Sequence, residues 1–599
     1  MKHLKYLNKY FWKYKYRFVL GTIFVVVSNI FGLYPPQIMR IAVNVITENV
    51  YLFKLYRGFD IQQKYFFLLN SILLVLSVTL IAMAVIRGIF MFFMRQTIIV
   101  MSRLIEYDLK NEMYDHYQQL HSNFYKVNST GDLMSRLTED VSKVRMYLGP
   151  AVMYTINLVT LFVLVISTMI QINAYLSFIV LLPLPLLSYS IYKVSVIINR
   201  KSEVIQGKLS GLTTMAQEVF SGIRVIKSYV REKTYNDHFE EASIDYKKNF
   251  LELSKIEAFF APLMLLLIGL STILTVYVGG LEVSRGRFTA GNIAEFVFYI
   301  NMLTWPVASL GWVASLVQRA AASQKRINEF LSIEAEIYNT KALPIQSIEN
   351  LVFKEVSFIY DNTGIQALKD ISFEIKRGEQ FAIVGKTGTG KSTIAELILR
   401  SFDTTGGEIR INGELLQDLD VHQLRNITGY VPQDVFLFSA TVAGNIQFGL
   451  EHASQSEIIQ AAKDAEIHKD IEYLKHGYDT IVGERGVTLS GGQKQRISIA
   501  RALVKQPELL ILDDCLSAVD ANTEHSILNN FKRAFENKTV LFITHRIFSL
   551  MDFDKILVLD EGTIKEQGTH EELLEKKGIY WEMYQLQQQE STELKQKFV

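Results

Sequence analysis

Five stretches of this 599-residue chain, 18 to 39, 65 to 86, 146 to 192, 258 to 281 and 296 to 318, contain no Asp, Glu, Lys or Arg. As a helix, each short stretch can cross roughly 30 Å of hydrocarbon, and the third is long enough to cross twice. Gln171-Ile172-Asn173-Ala174 is the turn expected within that third stretch, which brings the count to six membrane helices. Buried helices of a soluble core run nearer to about 10 to 14 apolar residues, so these lengths argue for a membrane domain. The helices are expected at about 18–45, 65–98, 146–171, 174–197, 258–281 and 291–320, within a membrane domain of residues 18–330.

Lys2, Lys5, Lys9, Lys13, Lys15 and Arg17 all precede the first carboxylate, Glu48. The positive-inside rule therefore places the N-terminus in the cytoplasm. The apolar run that follows is longer than the core of a signal peptide and carries Pro35-Pro36, so it reads as a helix that stays. Residues 1–17 read as an interfacial helix, with Leu4, Leu7, Phe11 and Trp12 near one face. Six crossings return the chain to the cytoplasm, so both termini are expected on that side of the cytoplasmic (inner) membrane. Arg87 and Glu295 either line a path through the membrane or sit at helix ends.

Between the apolar runs lie two charged, helix-patterned stretches, about 96 to 145 and 193 to 257. Paired helices of that length reach over about 35 Å beyond the membrane, farther than a loop needs. The arm tips are expected at Asn128-Ser129-Thr130-Gly131-Asp132 and at the small polar break Gly211-Leu212-Thr213-Thr214.

Residues 331–350 read as a linker turning at Pro344, and after it the period changes. Ile371-Ser372-Phe373-Glu374-Ile375 alternates as a half-buried strand does, and Phe381-Ala382-Ile383-Val384 is a continuous apolar run ending at Gly385. Then comes Gly385-Lys386-Thr387-Gly388-Thr389-Gly390-Lys391-Ser392, the G-x-x-x-x-G-K-S spacing of a phosphate loop, with Thr393 and a helical pattern behind it. Backbone N–H groups and a helix N-terminus can face phosphates there, Lys391 can reach the β- and γ-phosphates, and Ser392 a Mg²⁺ ion. A second apolar strand, Leu509 to Leu512, ends in Asp513, a Mg²⁺ ligand, and Asp514, where a general base for the attacking water is expected. Aspartate is one methylene shorter than glutamate, roughly 1.5 Å less reach, and a base must come within about 3 Å of its proton. The fold class is an α-helical membrane domain followed by an α/β P-loop domain at 351–584, with a polar tail at 585–599.

The chain carries 62 basic and 61 acidic residues, a net charge of +1, and beyond the N-terminal arm no basic run with interleaved aromatics. No nucleic-acid partner is expected. The single cysteine, Cys515, cannot form an internal disulfide and suits a reducing compartment.

Leu489-Ser490-Gly491-Gly492-Gln493, between Gln433 and Asp513, resembles the signature sequence of ATP-binding cassette transporters. Ser517-Ala518-Val519-Asp520 resembles the family's D-loop, His545 its switch histidine, and Gly483-Glu484-Arg485-Gly486 a loop particular to exporters. Tyr360 stands where the family stacks an aromatic ring on adenine. The resemblance covers nearly the whole chain and implies an exporter-type half-transporter using ATP and Mg²⁺. It implies catalytic roles for Asp514, His545 and Gln433, Mg²⁺ ligation by Ser392, Gln433 and Asp513, and γ-phosphate contacts from Ser490, Gly491, Gly492 and Gln493 of one chain at the partner's site. It also puts the arm tips, near 124 to 133 and 211 to 222, in grooves on the cassettes. Asp514 departs from the usual Glu, which implies a heterodimer with a Glu-bearing second half-transporter, moving a hydrophobic or amphipathic substrate such as a drug or lipid through a lipid membrane. A homodimeric lipid flippase and an ATP-gated channel or regulator are the alternatives.

Overall fold

A computed structural model describes residues 2–483, 489–516, 521–534, 538–550 and 553–597, which form two compact units. One comprises residues 1–118 and 131–333, the other residues 119–130 and 334–599.

Among the described residues, the first unit holds six helical spans long and apolar enough to cross a membrane: Lys15–Leu55, Ile61–Gln119, Thr130–Ile172, Ala174–Ser221, Glu232–Ser284 and Ala290–Leu331. They outrun the charge-free stretches because helical pattern continues in the polar arms, where nothing stops it. At the centre of the long third stretch Asn173 leaves helical backbone and its side chain accepts from the Leu176 N–H, capping the next helix. The core of the unit is aliphatic and aromatic, with Val165, Met169, Leu176, Phe296, Tyr299 and Leu303 buried together. Glu295 is fully buried, yet it accepts from the Tyr299 hydroxyl at 3.0 Å and lies 3.3 Å from Arg40. It thus sits in a paired contact between the first and last spans.

Two sequence expectations need correction. Gly211-Leu212-Thr213-Thr214 is not a break, because the helix runs unbroken through Pro183–Ser221. A single glycine costs a helix interior only about 1 kcal/mol, and the Thr213 hydroxyl turns back to the Leu209 carbonyl instead of opening the chain. The turn falls later, at Gly222 and at Val230, whose φ is +52°, on either side of a short helix, Ile223–Ser228. Nor do Leu4, Leu7 and Trp12 share a face. Residues Lys2–Leu7 form a 3₁₀ turn, whose period of three stacks Leu4 on Leu7 and buries both, whereas Trp12 is 73% exposed. Glu112 of the second span clamps this segment by accepting from Tyr6, Lys9 and Tyr10.

Among its described residues the second unit contains ten strands: β1 (Asn350–Tyr360), β2 (Ile365–Lys376), β3 (Gln380–Val384), β4 (Gly406–Ile411), β5 (Glu414–Leu415), β6 (Thr428–Val431), β7 (Leu509–Asp513), β8 (Thr539–Thr544), β9 (Lys555–Asp560) and β10 (Thr563–Gly568). They form a four-stranded antiparallel sheet, β2-β1-β4-β5, and a six-stranded sheet, β10-β9-β3-β8-β7-β6, whose members from β9 to β6 run parallel. Both faces of the larger sheet are covered. Phe381 and Ile383 point into one core and Ala382 and Val384 into the other, which is why β3 reads as a continuous apolar run. Glu355, at φ +49°, sits where the β1 register shifts, and this makes the alternation along β1 rough. The stretch before β1 is tied down: Leu343 donates to Asp418 at 2.8 Å, and Ile345 and Ile348 are buried.

The first arm tip, Ser122–Val127, is a short helix in the same compact unit as these sheets. Phe124 is buried, and His121 lies 2.9 Å from Glu336.

Candidate nucleotide site

Strands β3, β7 and β8 lie side by side and parallel, so their C-terminal ends open on one edge of the sheet, where ligands of α/β folds bind. Gly385 follows β3, Asp513 ends β7, and His545 follows β8. The register pairs Val384 with Thr544 and Asp513 with Ile543. Three sequence-distant motifs thereby meet around one cavity of about 650 Å³. Thr387, Gly388, Gly390, Lys391, Ser392 and Thr393 line it from the loop, and Tyr360, Gln433, Asp513, Asp514 and His545 line the remainder.

The loop is shaped to receive an anion. Gly388 and Gly390 have φ of +86° and +97°, and a Cβ on Gly390 would lie 2.4 Å from the Ala367 carbonyl. Only glycine fits there. Behind them the helix Lys391–Ile398 begins, and its first residues, Lys391, Ser392 and Thr393, line the cavity. Lys391 donates to the loop's own carbonyls, Gly385 at 2.8 Å and Lys386 at 2.7 Å, and burial holds its pKa below the usual value against the pull of Asp514 and Asp513. Thr389 braces the loop by donating to the Lys386 carbonyl at 2.9 Å.

Asp513 and Asp514 differ in surroundings. Asp513 is buried, and that burial raises its carboxyl to about 6, with Ser392 and Lys391 opposing and Asp514 adding to the rise. A buried acid beside a serine hydroxyl and an anion-binding loop suits a divalent cation that also holds phosphate oxygens. No group of three His, Cys, Asp or Glu side chains that could by itself hold a metal ion occurs among the described residues. Asp514 adopts φ +45°, uncommon for a residue with a side chain, and both its carboxylate oxygens are engaged. Gln433 Nε2 donates to Oδ2 at 3.2 Å, and His545 Nδ1 lies 3.0 Å from Oδ1. Cys515, next in the chain, is a free, fully buried thiol whose pKa burial pushes up, a packing residue.

Tyr360 also lines the cavity. Its hydroxyl is 3.0 Å from both Thr393 Oγ1 and Glu396 Oε2, and burial, with Glu396 nearby, pushes the phenol up to about 12. Sequence reasoning missed Glu396, and also Lys369, Glu561 and Gly562 on the cavity wall. The Asp560-Glu561-Gly562-Thr563 turn was the available signal for the last two, with φ positive at both central residues as a tight hairpin requires.

The signature residues are organised but stand elsewhere. Ser490 caps the helix Gly491–Leu503 in a reciprocal box with Gln493, and Gln493 and Arg496 both donate to Asp470, at 3.1 and 2.9 Å. None of Ser490, Gly491, Gly492 or Gln493 lines the cavity that holds the phosphate loop. The expectations for Glu484, Arg485 and Gly486 and for Ser517–Asp520 lie outside the described residues.

The fold and the cavity together define a class, a membrane transporter powered by a P-loop nucleotide site. Residues 18–307 match the family model described as ABC transporter transmembrane region, and residues 368–517 the one described as ABC transporter. The chain belongs to the ABC transporter family, with a membrane region and an ATP-binding region, and couples ATP hydrolysis to transport. It is 35% identical over 588 residues to the probable multidrug resistance ABC transporter ATP-binding/permease protein YheI of Bacillus subtilis (strain 168), covering 98% of this chain and 97% of that one. It is 34% identical over 482 residues to the ATP-dependent lipid A-core flippase of Syntrophus aciditrophicus (strain SB), 80% of each chain. A bacterial Atm1-family ABC exporter with ATP bound superposes with a TM-score of 0.75 at 26% identity, covering 96% of this chain and 98% of that one.

Proposed function

We propose that this chain is one half of a heterodimeric exporter in the cytoplasmic membrane, with both termini in the cytoplasm, and that its own ATP site is the weaker of two. The observation that carries this reading is Asp514. Its side chain is one methylene short of the usual base, and each carboxylate oxygen is already engaged, one by Gln433 and one by His545. A base so held reaches an attacking water poorly.

In this reading Lys391 and the loop N–H groups hold the β- and γ-phosphates, Tyr360 stacks on adenine, and His545 and Gln433 border the γ-phosphate. Ser392, Gln433 and Asp513 would hold Mg²⁺, which when bound offsets the charge of the phosphate oxygens. The cavity has no wall from Ser490–Gln493, which supports completion by a second chain's signature. The second arm tip supports a partner too, because Phe220, Val225, Tyr229 and Val230 are exposed there, and Phe436, Phe438 and Phe448 are exposed on the cassette. This chain's intact signature would then complete the partner's Glu-bearing site, and cassette closure would pull on the arms until hydrolysis releases it. Cargo is a hydrophobic or amphipathic drug or lipid. The flippase relative favours a second reading, a homodimer that moves lipid and hydrolyses slowly.

Comparing the purified chain with the chain co-purified with a Glu-bearing partner tests the proposal. ATP binding with slow turnover alone, and brisk turnover in the complex, is expected; brisk cooperative hydrolysis by the lone chain contradicts it. Vanadate-sensitive uptake into inside-out vesicles separates pumping from gating.

A further inference from the structure

We propose that Glu396 is a positioning residue that ties Tyr360 to the first arm tip through Lys126, so that the adenine end of the site and the arm respond to one another. The inference rests on the reading of Tyr360 as the adenine platform.

The geometry is a chain of hydrogen bonds through one carboxylate. Lys126, on the tip helix Ser122–Val127, donates to Glu396 Oε1 at 2.7 Å, and its ammonium lies 4.9 Å from the Phe402 ring centroid and 5.6 Å from that of Tyr360. The other carboxylate oxygen, Oε2, accepts from the Tyr360 hydroxyl at 3.0 Å. A phenol has one proton to give, so the contact with Thr393 Oγ1 at 3.0 Å is one in which Thr393 donates. Thr393 follows Ser392 at the start of the helix that grows from the phosphate loop. The order is therefore phosphate-loop helix, Tyr360, Glu396, arm tip. Residues 126 and 396 are far apart in sequence, yet both belong to one compact unit.

An ordinary surface ion pair would look different. The Lys126 and Glu396 side chains are 46% and 23% exposed, so as a pair they contribute little to stability. A carboxylate whose two oxygens are divided between an arm and an aromatic ring fixes orientation instead. Its removal takes the acceptor away from the Tyr360 hydroxyl and the Lys126 ammonium together. Binding linkage is reciprocal: if base stacking on Tyr360 shifts this chain of bonds, the arm tip must feel it, and arm docking must alter ATP affinity by the same factor.

The test uses the full-length chain in lipid nanodiscs, with Glu396→Gln, Lys126→Gln, and the swap Lys126→Glu with Glu396→Lys. Two quantities are read, ATP affinity and the hydrogen exchange of residues 122–127 with and without Mg-ATP. Each single variant is expected to weaken ATP binding about fivefold, at the low end of measured couplings between sites, and to abolish the ATP-dependent change in exchange at the tip. The swap re-forms an ion pair but leaves the Tyr360 hydroxyl no acceptor at position 396, so it is not expected to restore that change. Wild-type affinity and exchange in both single variants overturn the proposal, as does a swap that restores the wild-type change, because a plain ion pair would then suffice. Tyr360→Ala in the same assay keeps the two ideas apart. Unchanged affinity there removes the adenine reading, whereas weakened affinity there beside an unchanged Glu396→Gln removes only the coupling.

Discussion

The cassette carries two pieces of ATP machinery, and they differ in how complete each is. The signature helix has its capping box closed, its glutamine and arginine anchored on Asp470, and the spacing of its motif intact. The phosphate-loop side has its glycines and its lysine in place, but Asp514, the proposed base, is a short carboxylate in left-handed backbone, spanned by Gln433 and His545. In the proposed reading, one chain offers a sound contribution to a neighbour's site and a weakened one to its own. That asymmetry is what a heterodimer exploits and what a homodimer would suffer from twice.

The largest expected effect comes from damaging the sound half. In a complex with a Glu-bearing partner, Gly492→Asp places a carboxylate where a γ-phosphate approaches, and like charges at about 4 Å repel by roughly 4 kcal/mol at an effective dielectric of 20. Steady-state ATPase of that complex should fall to near background. Next is repair of the weak half: Asp514→Glu restores reach and should raise turnover by about tenfold, or about 1.4 kcal/mol of barrier. If single-turnover hydrolysis in the complex shows no gain, reach is not the defect.

A smaller change is expected from Tyr360→Ala. It should weaken ATP binding by about 1 to 3 kcal/mol, the range for bases stacked on aromatic rings, as read by equilibrium nucleotide titration. The smallest concerns the second arm. Gly211 lies mid-helix with open space where a Cβ would stand, so Gly211→Ala should stabilise the chain by about 0.5 to 1 kcal/mol in thermal unfolding. A loss of stability would instead point to a break at that position.

Whatever depends on contiguous residues was legible in the sequence. The membrane spans follow from charge-free length, β3 and β7 from short apolar runs, and the site from motifs at strand ends, because a parallel sheet brings those ends together whatever lies between. Pairings across long separations were not legible. Nothing local marks Lys126 and Glu396 as partners, and the anchoring of Tyr6, Lys9 and Tyr10 on Glu112 has no sequence signal either. The second arm tip was misplaced because a glycine with two threonines has the composition of a turn, while helical context on both sides overrides it. In the N-terminal segment one continuous helical period was assumed, whereas the chain takes a 3₁₀ turn over Lys2–Leu7 and an α-helix over Asn8–Lys13.

The central claim, that the two ATP sites are unequal and that this chain's own is the weak one, is tested most directly by measuring ATPase for Lys391→Ala and Gly492→Asp in the same assembled preparation. Lys391→Ala removes a cation from the weak site and should leave measurable hydrolysis at the partner's, slowed by less complete closure, whereas Gly492→Asp should leave almost none. If Lys391→Ala is as inactive as Gly492→Asp, the sites are equal in function and the account is contradicted.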